Sequence, residues 1–483
     1  MADDRRYLHC KHTLREHIEA LGASADEISA RTGIPSDAMN RILENERSIP
    51  TNQELVLLSM ALDLFPEDFI SWAPVEDYEE RVWGRALDEK PVQVTVCGAG
   101  NLGHVFVGML SAREDVEVKW LTSSKERAAM LETTMAERGG VLVQTPDGDI
   151  QGSPVEVSCD PSQVIPGAEV VILCLPSFRE PVVLEQIVEH LDEDTRLVSI
   201  PATGGINWTA RAILDQRGRD DVELIGLIAI PWMCKTQEQG ARVKVLGAKV
   251  IEGAALMRGD DMHDLERIAH LIRIPTLWLG NFHVIILNPG NQILHPGILF
   301  GLFENWDGTP LPEPPLFYEN LSERSAEIVG ALDDEMGQIK DALRSLDPDL
   351  DLAGAMPIQL ALMIVYGDKI SDPRSLRSSI ATNSAYAGIR CPMVEVEGGY
   401  APDWSSRFLS EDLPYGLMVL KGMARILDLE TPTVDLMIRW CQEKVDLVYL
   451  DEEGNFGPAA ERSGAPQANG FDTVAALTKL AAR

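Results

Sequence analysis

Positive charge is scarce in this sequence. Lys and Arg number 42 against 76 Asp and Glu, a net of −34 over 483 residues. Nucleic-acid binding needs phosphates neutralised by cations, so that class of partner is disfavoured. Cysteine is sparse as well. There are seven, with no CxxC and no paired spacing, which points to free thiols in a reducing compartment. No compact metal-ligand spacing occurs, and no metal is expected. Long apolar runs are missing: HVIIL and ALMIV fall far short of the roughly 20 residues of a membrane span. The opening MADDRRYLHCKH lacks the apolar core of a secretory signal. A cytoplasmic chain with no membrane partner is the expectation. Hydrophobic residues still make up 45%, enough for one or two good cores, and the length suits two to four domains.

Residues 1–80 read as a small all-α module. Leu14, Ile18 and Leu21 mark one helix. Ser24 and Glu27 have capping-box form at the start of a second, which ends at Gly33. Ser36 is the expected N-cap of a third, with Met39, Ile42 and Leu43 facing the core, and a fourth runs through 55–64. Two short helices joined by a tight glycine turn resemble a phage-repressor-type helix-turn-helix. The segment nevertheless holds seven Lys/Arg and 17 Asp/Glu, a net of −10. The helix that would read DNA offers Asn40 and Arg41 among Asp37, Glu44 and Glu46. Packing, docking or dimerisation is therefore the expected role, not DNA binding.

Residues 81–90 are expected to be a charged linker. From Pro91 the composition turns Val-rich, and strands at 92–97, 116–121, 155–158, 170–175, 197–200, 222–227 and 248–252 alternate with helices such as 183–190 and 207–216. This predicts a doubly wound α/β Rossmann domain over 91–275. Beyond 276 strand-like runs become rare. Helical patterns at 318–347, 353–366, 412–427 and 432–444 predict a mostly α-helical substrate domain over 276–483, with a tail.

The first strand runs straight into Gly98-Ala99-Gly100-Asn101-Leu102-Gly103 and then a helix. In that context the glycines have separate tasks: a tight turn, close backbone approach to a pyrophosphate, and close helix–strand packing. Unpaired N–H groups at the helix start add to the phosphate site. The second strand ends in Leu121 and is followed by Thr122, Ser123, Ser124, Lys125, Glu126 and Arg127. No acid stands at the strand end to bind a ribose diol, and hydroxyls with two cations suit a 2′-phosphate. NADP(H) is the preferred cofactor, with NAD(H) as the alternative. Leu175 and Pro176 follow the fourth strand on the cofactor side, and Pro201–Gly205 could line the nicotinamide end.

In the second half, Asn288-Pro289-Gly290-Asn291-Gln292-Ile293-Leu294-His295-Pro296-Gly297 stands out. His295, before Pro-Gly, suits a helix end, and a histidine beside the cofactor can move a proton at neutral pH. Asn291, in the same cluster, is expected on the substrate. His295 needs a carboxylate to orient it, and Glu411 or Asp412 could serve; their adjacency leaves the choice open. Arg374 and Arg377 are weaker candidates for substrate contact.

VCGAGNLGH, NPGNQILHPG, RFLSEDLPYG and YGDKISDPRSLRSSIATNSAYAGIRCP (366–392) together resemble the octopine/nopaline (opine) dehydrogenase family, across roughly 91–450. That resemblance implies a Rossmann domain joined to an all-helical domain, with the substrates between them. It implies reduction, by a nicotinamide cofactor, of the imine formed from an amino acid or amine and a 2-oxo acid. It places the catalytic histidine on His295, its partner on Asp412 rather than Glu411, and a carboxylate-binding arginine on Arg407. A homodimer is the expected assembly. The competing readings are a small hydroxy-acid dehydrogenase and an NAD(P)H-sensing regulator acting through the helix-turn-helix.

Overall fold

The computed structural model describes residues 8–44, 52–62, 64, 66–74, 78–249, 251–259, 261–348, 350–352 and 354–479. Its strands, in chain order, are β1 (Leu8–His12), β2 (Ile70–Pro74), β3 (Val92–Cys97), β4 (Val116–Leu121), β5 (Val141–Thr145), β6 (Gly148–Gly152), β7 (Glu156–Ser158), β8 (Val170–Leu173), β9 (Arg196–Ser199), β10 (Glu223–Leu227), β11 (Trp232–Glu238), β12 (Arg242–Ala248), β13 (Glu252–Leu256) and β14 (Thr276–Trp278).

Val and Ile dominate β3 and β8, and these strands are covered on both faces, the pattern of an internal parallel strand. They sit at the centre of an eight-stranded sheet ordered β14-β13-β10-β9-β8-β3-β4-β7. From β7 to β10 the pairing is parallel throughout. Read in chain order those six strands are 3-2-1-4-5-6, the doubly wound dinucleotide topology, whose switch point lies between β3 and β8.

The strand expected at 248–252 is instead the gap between β12 and β13. A second sheet, β11-β12-β5-β6, was not anticipated. Its outward positions mix polar residues with the exposed Met233 and Leu246, so no buried run announced it. The Asn101–Leu110 helix packs between the two sheets. Gly108 lets it approach, since a Cβ there would stand 2.4 Å from a Val143 methyl.

Neither expected boundary coincides with the packing. Val82, Trp83 and Leu87 are buried in the core beneath the main sheet, so 81–90 is not a free linker. Strand β14 carries the sheet to Trp278, past residue 275. Its Leu277 packs into the N-terminal core of Leu14, Ile18, Ile28, Met39 and Ile42. In that N-terminal region Ser24 and Glu27 form the expected capping box, and Gly33 closes the Ala25–Thr32 helix with φ +76°. The next helix, Ser36–Glu44, starts at Ser36 itself, with the Pro35 carbonyl accepting from Met39 N–H. The fourth is Asn52–Leu62. Leu21 is 56% exposed rather than core, and the β1–β2 pair was not expected.

Beyond the sheet, the Asn291–Phe303 and Glu323–Leu346 helices cross closely. A Cβ on Gly297 would stand 2.7 Å from a Val329 methyl, and one on Gly301 2.2 Å from Ser325 Oγ. Ser322 caps the longer helix, and Ile328, Val329, Leu332, Met336, Ile339 and Leu343 form its buried stripe. Ile358–Tyr366, Met418–Ile426 and Pro432–Val445 are further helices of this part. A short hairpin, Met393–Val396 with Gly399–Pro402, is its one pair of strands among the described residues.

Candidate active site

A cavity of about 550 Å³ opens at the switch point, where β3 and β8 end side by side. Gly98, Ala99 and Gly100 form one wall, Leu121, Thr122, Ser123 and Arg127 a second, and Leu175 and Pro176 a third. Gly98 has φ +113°, and a Cβ there would stand 2.6 Å from the Cys174 carbonyl oxygen. At Gly103 a Cβ would stand 2.1 Å from the Gly98 oxygen, so this glycine seats the helix on the loop. Trp120 Nε1–H donates to that same oxygen at 2.9 Å.

Two observations make the cavity fit a dinucleotide. The glycine cradle is a space that any side chain would fill. Thr122, only 6% exposed, leaves its Oγ1 without a hydrogen-bond partner among the described residues. Arg127 donates to the Ala99 carbonyl and to Gln239, which holds a cation beside the glycine loop. The other expected residues stand just outside. Asn101 opens the helix and accepts from Thr236 N–H, while Leu102 packs into the core beneath the sheet. Ser124 caps the Lys125–Arg138 helix, and Lys125 is an exposed residue of its first turn that does not line the cavity.

His104, quoted in the glycine motif but given no role, supports the loop from behind. It is fully buried between the Gly100 carbonyl (Nδ1, 2.7 Å) and Gly240 N–H (Nε2, 2.8 Å). Accepting at Nε2 makes Nδ1 the donor. Burial, above all, pushes its pKa down to about 4, so the ring is neutral.

His295 does not end a helix. It lies in the second turn of Asn291–Phe303, which continues through Pro296 and Gly297. Its Nδ1 is 2.8 Å from Asp412 Oδ2 and its Nε2 3.1 Å from the Tyr318 hydroxyl. The Phe408 ring stacks flat on the imidazole at 3.7 Å and 10°. Of the two adjacent acids, Asp412 is therefore the partner. It stands just before a π-helical turn, Leu413–Leu417, in which its carbonyl accepts from Leu417 N–H at 2.9 Å. Gly416 lets that turn press on the histidine's helix, since a Cβ there would stand 2.6 Å from Gln292 Cβ. Burial pushes the Asp412 carboxyl up, and the bond from His295 opposes it. Glu411 faces the other way: its Oε1 accepts from Ser177 N–H at 3.0 Å, so the Leu175–Phe178 loop is tied one residue from Asp412.

The remaining expected contacts are looser. Arg407 is 67% exposed and pairs with Glu411. Asn291, exposed, is one turn before His295 on the same helix face. Arg374 is 86% exposed and held by Asp372, and Arg377 donates to the Leu321 carbonyl, so neither stands at the dyad. Gly204 and Gly205 pack on Ser177, Tyr415 and Gly464 rather than lining the cavity. Tyr318 was missed; its stretch, LPEPPLFYEN, has no periodicity that marks a site.

Residues 278–445 match the α-helical domain of NAD/NADP octopine/nopaline dehydrogenases, and residues 94–247 match the ketopantoate reductase PanE/ApbA family. Octopine dehydrogenase of Pecten maximus is 32% identical over 395 residues, 80% of this chain and 98% of its own length. The chain belongs to the octopine/nopaline (opine) dehydrogenase family. Opine dehydrogenase of Haliotis discus hannai is 31% identical over 406 residues, 81% of this chain and 99% of its own. Octopine dehydrogenase solved with NADH and L-arginine superposes with a TM-score of 0.76 at 30% identity, covering 80% and 98%. Like the opine dehydrogenases, this chain is an NAD(P)-dependent oxidoreductase acting on CH–NH bonds.

Proposed function

We propose that this opine dehydrogenase works through His295 and Asp412, prefers NADPH, and carries an N-terminal module that does not bind DNA. The reaction is the reductive condensation of an amino acid or amine with a 2-oxo acid through an imine. The observation that carries the site is the 2.8 Å bond between His295 Nδ1 and Asp412, one residue from the tie to the cofactor loop.

Condensation first gives a carbinolamine, which must lose its hydroxyl as water. His295 takes at Nε2 the proton that the substrate ammonium gives up and passes it to that oxygen, and Asp412 stabilises the ring while it is charged. The imine nitrogen stays protonated, which makes its carbon the better acceptor. Reduced nicotinamide supplies the hydride. Arg407, released from Glu411, clamps a substrate carboxylate with its planar fork, and Asn291 meets the substrate from one turn before His295. Gly98 and Gly100 would let the backbone approach a bound pyrophosphate, with Gly103 seating the helix that Asn101 and Leu102 start beside it. Thr122, Ser123 and Arg127 would hold the adenosine ribose and a 2′-phosphate, with Ser124 and Lys125 at the rim. Leu175 and Pro176 would pack along the cofactor.

The decisive experiment is a matrix of amino acids and amines against 2-oxo acids, followed by NADPH and NADH oxidation. Oxidation that requires both substrates, and is faster with NADPH, is expected. Oxo-acid reduction that proceeds equally without an amine overturns the imine reading.

The N-terminal helix-turn-helix arrangement supports packing rather than DNA. Arg15 and Arg31 donate to the Leu43 and Ala61 carbonyls, and Leu277 of the main sheet completes the module's core. No helix among the described residues is long and apolar enough to cross a membrane. A cytoplasmic homodimer is the assembly we assign, to be checked by light scattering.

A further inference from the structure

The imidazole of His295 is closed on nearly every side. Phe408 covers one face, and Phe317 meets it at 5.8 Å and 62°. Among the described residues, Asp412 and Tyr318 alone hydrogen-bond it. A carboxylate only accepts, so Nδ1 carries the hydrogen toward Asp412. Nε2, the atom left for the substrate, is then a bare lone pair, and it already faces a hydroxyl.

We propose that Tyr318 is a positioning residue of the reaction: its hydroxyl donates to Nε2 in the resting enzyme and accepts from Nε2–H once His295 is an imidazolium, until the carbinolamine oxygen takes its place on that proton. This rests on the His295–Asp412 assignment above. A hydroxyl can play both parts by rotating, which no carbonyl, amide N–H or aromatic ring can do. Burial holds the Tyr318 phenol well above its ordinary range, so the hydroxyl keeps its proton. The ring itself is fixed. Tyr386 stacks on it at 4.3 Å and 22°, Phe317 meets it edge-on at 4.9 Å and 85°, and Tyr366 braces Tyr386 at 5.2 Å.

The bond to the charged ring is the stronger of the two, because charge-assisted hydrogen bonds are about twice as strong as neutral ones. Tyr318 therefore favours the imidazolium, the form that donates the proton. The other groups around the dyad are fixed elsewhere. Glu411 and Arg407 pair with each other beside Asp412. Cys441, from the Pro432–Val445 helix, is buried as a neutral thiol, and Lys444 lies over Trp440. At the far end of the histidine's helix Arg324 pairs with Glu304.

The test is Tyr318→Phe in the full-length enzyme, with Tyr386→Phe as control, since the latter keeps the aromatic stack and removes a hydroxyl that does not touch His295. Tyr318→Phe is expected to lower turnover about tenfold and to move the alkaline limb of its rate–pH profile down by roughly half a unit to one unit. Tyr386→Phe is expected to leave the limb in place. An unmoved limb in Tyr318→Phe, or an equal shift in both variants, overturns the proposal. Nitrogen NMR of labelled histidine in the wild-type chain gives a readout independent of variant folding. It should show His295 protonated at Nδ1, and the opposite tautomer overturns the proposal. Wild-type turnover in His295→Ala would instead remove the His295–Asp412 reading. An inactive His295→Ala beside an unmoved limb in Tyr318→Phe removes Tyr318 alone.

Discussion

His295 and Glu180 show how little room the burial of a titratable side chain leaves at the residue scale. His295 is 7% exposed and held at both nitrogens, so His295→Ala removes the proton donor and touches none of the glycine-loop residues. Turnover should fall by about 10²–10⁴, with the cofactor Kd changed little, as steady-state rates and fluorescence titration would show. Glu180 is wholly inside, bonded to Ser199 Oγ at 2.5 Å, and burial raises its pKa from 4.5 to about 8. The folded chain thus holds that proton more tightly than the unfolded one. The stability it supports is complete below about pH 4.5 and is lost as pH rises toward 8. Glu180→Gln keeps an acceptor for the Ser199 hydroxyl and removes the titration. Its melting temperature should vary less with pH than that of the wild type between pH 5 and 8.

At the scale of elements, the site depends on how closely two helices cross. Gly301 lies on the His295 helix, two turns on, against the start of Glu323–Leu346. Gly301→Ala pushes a methyl into Ser325 Oγ and backbone N–H, at 2.2 and 2.6 Å. Overpacking of this kind costs about 1–3 kcal/mol. Because the same helix carries the catalytic ring, kcat should fall while cofactor affinity holds. Denaturant unfolding beside steady-state kinetics checks both. The element scale also shows what periodicity conveys: the Glu323–Leu346 stripe and the Val-rich β3 and β8 were legible. The β11-β12-β5-β6 sheet was not, because short strands with one exposed face of mixed polarity do not stand out from loops.

For the whole molecule, the question is what the N-terminal region adds. About 395 residues of this chain match 98% of the Pecten maximus enzyme's length, so the opine machinery is complete without an extra module. The module's core is finished by Leu277 on β14, the edge strand of the same sheet whose central strands end at the cavity. Removal of residues 1–77 should therefore leave kcat within about twofold and lower stability by exposing Leu277, roughly 1–3 kcal/mol from that side chain's burial. Kinetics and thermal melts of the shortened chain test this. The intact protein should show no specific duplex binding in gel shifts at physiological salt, given the net of −10 over residues 1–80.

Local chemistry was written in the sequence by itself. Gly98-Ala99-Gly100-Asn101-Leu102-Gly103 after a Val-rich strand could serve little else, since each glycine answers a backbone need set by its immediate neighbours. His295 and the Arg407–Gly416 stretch were marked by their chemistry and by the family resemblance. Spacing alone left Glu411 and Asp412 open and the family resemblance favoured Asp412; the tertiary structure puts Asp412 on His295 and turns Glu411 to the Leu175–Phe178 loop, because neighbours in sequence point to different sides of a turn. Tertiary structure also brought in Tyr318 and Phe408, and it withdrew Lys125 and Arg374 to the surface. Those outcomes depend on which faces meet across 20 to 120 residues of chain, and no local pattern encodes that distance.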